Sequence, residues 1–252
     1  MKSKPLQAHI TASYTTLRIG MAVLAIALPG MLWLLGDVAA NLPLQGSMSA
    51  YYHAGGLVRD VFVGFLFAIG FFLMLYKGFT DFENWALNLA GGLLLVVAAV
   101  PMPWGCGADC PQVTLHGAAA VLFFLCIAYV CLFRSKDTLG LMQDPKTAEK
   151  YKIAYWILGG VMIGSPVIAL ILKLVLQPDP GKGSYIFFIE AVGVVVFGLY
   201  WLLKSKEIWA TNAELRAVEG KLEIEPYGMG HFFRTIHVTR AGEAGTRSRG
   251  RP

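Results

Sequence analysis

The sequence predicts an all-α protein, a polytopic bundle of six transmembrane helices with both termini cytoplasmic, and three observations predict it. Long apolar runs recur at residues 16–36, 58–77, 85–104, 113–133, 153–176 and 184–203. Each meets the roughly 20 residues that a helix needs to cross a hydrocarbon core of about 30 Å. The composition agrees, with 56% hydrophobic and only 15% charged residues in 252, against about 25% charge in a soluble domain. Finally, the lysines and arginines between the runs fall on alternate sides.

Lys2, Lys4 and Arg18 precede the apolar core of the first run, 19–35. Val38-Ala39-Ala40 fits a signal-peptidase cleavage pattern, but the apolar core of 19–35 exceeds the usual length of a signal peptide, and the run is read as a span. Lys77 follows the second run, and Arg134, Lys136, Lys146, Lys150 and Lys152 fill the connection after the fourth. Lys204 and Lys206 follow the sixth. The opposite loops hold no basic residue in 37–57 or 105–112, and only Lys182 in 177–183. Basic loops stay in the cytoplasm, which orients the chain in a bacterial inner membrane. The net charge of +5 lies largely in inward loops and the C-terminal tail, a distribution that excludes a nucleic-acid role.

Residues 1–206 form the membrane domain, with no internal repeat of the kind many transporters show. Gly91, Gly92, Gly159, Gly160 and Gly164 permit close helix contact, and Pro29, Pro101, Pro103 and Pro166 kink or end helices. Residues 207–252 form a cytoplasmic segment and tail. Its first part, within 204–226, reads as an amphipathic extension of the last helix, with Ile208, Trp209, Leu215, Val218 and Leu222 on the apolar side. The stretch 240–252 has the composition of a disordered basic tail that anionic lipid would attract. His231 and His237, six apart, make a poor metal pair.

An ionisable group inside a bilayer is costly unless paired, so each is a candidate for function. Glu190 lies six residues beyond Ser184, about 9 Å into the helix at 1.5 Å per residue, and IFFIEAVGVVVF offers it no local partner. A hydrogen bond across the bundle, a ligand, a proton or a metal all fit it. His116 begins the fourth helix as an interfacial residue or a ligand. Asp60, beside Arg59, opens the second helix, where a carboxylate suits the helix dipole. Lys173 either snorkels to the interface or pairs with Glu190. Topology places Asp60, His116 and Glu190 on one side of the membrane, together with the loop SMSAYYHAGG and its Ser47, Ser49, Tyr51, Tyr52 and His53. Two acids, two histidines and hydroxyls at one face suit cation binding or acid–base chemistry. Inner-half helix positions look almost bare of ionisable groups, which argues against a continuous ion path.

Cys106 and Cys110, in CGADC, suit a local disulfide in an oxidising compartment; free thiols or metal ligation with Asp109 or His116 are the alternatives. Cys126 and Cys131 lie within a helix and read as packing residues. No Walker loop, HExxH, GxSxG or CxxCH occurs.

The stretch SMSAYYHAGGLVRDVFVG resembles a family of uncharacterised bacterial six-helix integral membrane proteins, with Ser47, Ser49, Tyr51 and Tyr52 followed by Arg59, Asp60, Phe62 and Gly64. LNLAGG, the His116-Gly117 pair and IEAVGVVVFGLYWLLKSKE extend the resemblance over residues 16–207. The family implies the six-helix fold and no assigned activity. More distantly the chain is similar to DRAM-type membrane proteins, linked to lipid and membrane organisation. The alkaline ceramidases, with Ser, Asp and three His around zinc, offer a looser likeness at Asp60 and His116. Glu190 stands where those enzymes carry a His-x-x-x-His pair, so zinc is not carried over.

The leading expectation is an integral membrane protein that binds a lipid, small ligand or partner subunit at an outer-leaflet polar face, through Ser47, Ser49, Tyr52, His53 and Arg59. The alternative is a membrane-embedded lipid hydrolase using Asp60, His116 and Glu190, with or without a metal. No cofactor is predicted; zinc is the metal these side chains would suit. Membrane lipids and a membrane-protein partner are the expected company.

Overall fold

The computed structural model describes residues 6–106, 109–111, 113–176 and 184–222, apart from the side chains of 173–176. His231, His237, Lys182 and the basic tail lie outside the described residues, as does the side chain of Lys173. The fold among the described residues is all helical, with helices α1 (Leu6–Ala40), α2 (Gly56–Leu75), α3 (Asp81–Ala99), α4 (Leu115–Tyr129), α5 (Pro145–Leu176), α6 (Tyr185–Thr211) and the short α7 (Ala213–Val218). A 3-10 helix, Met48–Ala54, precedes α2. Six helical segments among the described residues are long and apolar enough to cross a membrane: α1, α2, α3, α6, residues 145–172 of α5, and α4 together with its continuation to Leu141.

Local chemistry sets the helix ends. Thr80 caps α3 by accepting from the Glu83 N–H, and the Glu83 carboxylate reaches back to the Phe79 N–H at 2.8 Å, a close variant of the reciprocal capping box. Thr114 caps α4 through the Gly117 N–H at 3.0 Å. Asp144 accepts from the N–H groups of Lys146 and Thr147, both at 3.1 Å, ahead of Pro145 at the first helical position, where a missing N–H costs nothing. Past Val100 the chain leaves the helix at Pro101 and Pro103. The fourth span does not stop at Tyr129: it continues as one π-turn, Val130–Arg134, and a 3-10 helix, Ser135–Leu141.

Each helix packs on its sequence neighbours, and α6 packs back on α1, which closes the six into a ring. Short connections require this antiparallel order. Gly70 and Gly91 bring α2 and α3 together: a Cβ on Gly91 would stand 2.6 Å from the Gly70 carbonyl oxygen. The interior is apolar and aromatic, with Trp201 edge-on to Tyr76 and Tyr200 at 5.1 Å each. The perimeter is equally apolar, with Trp33, Trp85, Trp156, Ile171 and Phe188 exposed. Such a surface suits lipid and would aggregate in water. The chain is therefore a multi-pass integral membrane protein.

The amphipathic extension expected over 204–226 takes a different form. Helix α6 runs through Lys204 and Lys206 to Thr211 and ends at Asn212, whose φ of 52° turns the chain into α7. Within α6 the expected apolar stripe does not hold together: Ile208 is buried, whereas its neighbour Trp209 is 82% exposed.

Candidate functional site

The two ends of the bundle differ in chemistry. At the end where α2, α4 and α6 begin, the 3-10 helix Met48–Ala54 roofs the interior. Ser47 caps it, its hydroxyl oxygen accepting from the Ala50 N–H at 3.2 Å. Tyr51 fixes it from below: its ring occupies the notch left by Gly36 of α1, space that an added Cβ would take. The Gln45 N–H donates to the Tyr51 hydroxyl at 3.4 Å, and burial pushes this phenol above its ordinary value. The Phe187 N–H of α6 donates to the Gly46 carbonyl at 3.0 Å, tying the loop to the start of the last span.

Two of the expected residues, Glu190 and His116, each reach this roof. The Met48 N–H donates to Glu190 Oε2 at 2.7 Å, so the carboxylate in the second turn of α6 reaches the backbone of the 3-10 helix. Ser49 Oγ lies 2.8 Å from His116 Nε2, and His116 Nδ1 lies 2.7 Å from the Val100 carbonyl oxygen. A carbonyl only accepts, so Nδ1 carries the proton. In the neutral ring Nε2 is then a lone pair, and the Ser49 hydroxyl donates to it. His53 donates from Nε2 to the Met102 carbonyl at 2.9 Å and stacks on Trp104 at 4.9 Å. Tyr52 stands edge-on to His53 at 5.5 Å, and the Ser47 hydroxyl approaches Met102 Sδ at 3.6 Å. The 3-10 helix, the segment after α3, α4 and α6 thus each contribute one wall.

Arg59 and Asp60 stay outside. Helix α2 begins at Gly56, so Asp60 lies past the first turn, and no acidic residue sits where the helix dipole favours one. Its side chain is 67% exposed and pairs with Arg59 at 3.5 Å. Among the described residues, no three His, Cys, Asp or Glu side chains are grouped so as to hold a metal ion. Cys106 and Cys110 are joined in a disulfide, with Cα atoms 5.0 Å apart. Cys126 and Cys131 are free thiols, partly and fully buried.

The opposite end overturns the expectation of an almost bare inner half. Arg18, Glu83, Asp137, Lys204 and Glu207 are all buried there. Lys204 Nζ donates to Glu207 Oε2 at 2.7 Å, to Thr138 Oγ1 at 2.7 Å and to the Ser135 carbonyl at 3.1 Å. Glu207 also accepts from Thr138 at 2.5 Å and Tyr155 at 2.7 Å. Arg18 binds Ser205 at 3.1 Å, Thr15 at 3.2 Å and the Glu214 carboxylate of α7. Its guanidinium lies over the Tyr76 ring at 5.7 Å from the centroid, while burial pushes the Tyr76 phenol far above its usual range. Arg134 pairs with Asp137 at 3.5 Å. The sequence signal was present in the three-residue spacing of Lys204 and Glu207, which puts both on one helix face. In the sequence Lys204 reads as a flanking charge because it lies just beyond the apolar run 184–203. All three Lys204 protons have acceptors, so this cluster works as a staple joining α5, α6 and the end of the fourth span.

Comparison with protein-family models, with curated proteins and with solved structures finds no match to this chain.

Proposed function

We propose that the protein binds the polar headgroup of a membrane lipid in the outer leaflet, at the face roofed by residues 48–54. The observation that supports this reading is that Glu190 and His116 each bond the 3-10 helix, at the Met48 N–H and the Ser49 hydroxyl, close to the starts of α6 and α4. Hydroxyl, imidazole and carboxylate groups at that depth suit the phosphate, glycerol and amine groups of the interface. The basic-loop distribution supports placing this end outside the cytoplasm and both termini within it. Ser47, Ser49, Tyr52 and His53 contribute to the site from the roof. Arg59, 47% exposed, meets phosphates beside it.

Native mass spectrometry of protein extracted in mild detergent tests the proposal. The wild type is expected to retain lipid, and the double variant His53→Ala/Glu190→Gln to lose it while remaining folded. Equal lipid retention by both, or none by the folded wild type, contradicts the proposal.

A further inference from the structure

We propose that Ser49 is a nucleophile toward the carboxylic ester of a glycerolipid, with His116 as its general base. The inference rests on the lipid-binding reading and gives that site a reaction. Its carrying geometry is the relay from the Val100 carbonyl through His116 Nδ1 and Nε2 to Ser49 Oγ, with links of 2.7 and 2.8 Å. A backbone carbonyl that fixes the imidazole tautomer performs the orienting part of a third group. The two serines of the roof are thereby distinguished. Ser47 serves as a cap for Ala50, whereas Ser49 faces a ring nitrogen able to take its proton.

The nucleophile is held from both sides. The residue before it is bound to Glu190 through the Met48 N–H, and Tyr51 is seated against Gly36. His116 is 6% exposed and so held in place by its surroundings, while Ser49 remains partly open to the surface. Next to the histidine, Leu115 is 65% and Val113 78% exposed. An apolar rim beside a nucleophile at the membrane interface suits an ester with a long acyl chain.

In the first step Ser49 Oγ bonds to the ester carbonyl carbon as its proton passes to His116 Nε2. The ester C–O bond then breaks, and the proton leaves with the alcohol. Water next attacks the acyl-serine, giving its proton to Nε2. The carboxylic acid departs and Ser49 is restored. No oxidant, reductant or metal enters the balance.

The full-length protein in phosphatidylglycerol nanodiscs is treated with a fluorophosphonate, and adducts are mapped by peptide mass spectrometry. The proposal predicts one adduct, on Ser49. The adduct should be absent in Ser49→Ala, and its rate of formation should fall by about 100-fold or more in His116→Gln, the scale of general-base catalysis. Fatty acid release from the nanodisc lipid should fall in parallel. An unlabelled Ser49 in folded wild type, or a labelling rate that His116→Gln leaves unchanged, overturns the nucleophile. Cleavage of soluble p-nitrophenyl butyrate without fatty acid release overturns the lipid ester as substrate. Lipid retained by an unreactive wild type would sink this inference alone, whereas failure to retain lipid would sink the binding reading beneath it.

Discussion

Lys204 and Glu207, one turn apart on α6, show how a charge survives inside an apolar bundle. The ammonium is 1% exposed and the carboxylate 0%, and each is stable there only through the other and the hydroxyls around them. Lys204→Met or Glu207→Leu leaves its partner charged, buried and unpaired, at a cost of about 3–5 kcal/mol. The double variant should be destabilised by clearly less than the sum of the two. Unfolding measured in detergent checks this, and simple additivity would show that the pair is not coupled. Asp144 behaves in the opposite way, at the surface. Hydrogen bonds from Thr147 and the backbone hold its carboxyl below the ordinary value of 3.8. The capped state therefore gains stability above that value and loses it as the pH falls through the lower folded value. Asp144→Asn should flatten this acid loss in a pH series of melting temperatures; an unchanged acid limb would remove Asp144 from the account.

At the scale of helices, small residues matter only where a neighbour arrives. Gly91 and Gly92 are adjacent in sequence, yet only Gly91 meets the next helix; a Cβ at Gly92 would touch nothing within 4 Å. Gly91→Ala should destabilise by about 1–3 kcal/mol through overpacking. Gly92→Ala should be neutral, or stabilising by up to about 1 kcal/mol from helix propensity. Equal effects in thermal unfolding would show that α2 and α3 are not in this close contact. Sequence could not separate these two glycines, because the difference lies in which side of α3 faces α2. The spans themselves were legible, since apolar length is a local property. Their ends were less so: the fourth span passes through a π-turn over Val130–Arg134 and continues beyond Phe133 into a 3-10 helix, carrying Ser135, Asp137 and Thr138 inward. A hydropathy window registers those three only as polar residues after an apolar run.

For the whole molecule, the six-helix ring and its membrane character follow from composition, and the two polar ends follow from packing. Glu190 and His116 could be identified singly in the sequence because each interrupts an apolar run. Their meeting with the Met48 amide and Ser49 depended on how the loop 41–47 and the 3-10 helix fold over the ring, which no local pattern encodes. Asp60 shows the converse, since sharing a side of the membrane did not bring it into the cluster. The central claim is a polar site at the outer face, reachable from water and built around Ser49. Labelling of Ser49→Cys with a membrane-impermeant maleimide tests it most directly, in right-side-out and inverted vesicles that retain the Cys106–Cys110 disulfide. The account predicts labelling from the outside only, slowed when short-chain phosphatidylglycerol is added. Labelling from the cytoplasmic side alone, or none until the protein is denatured, would contradict it.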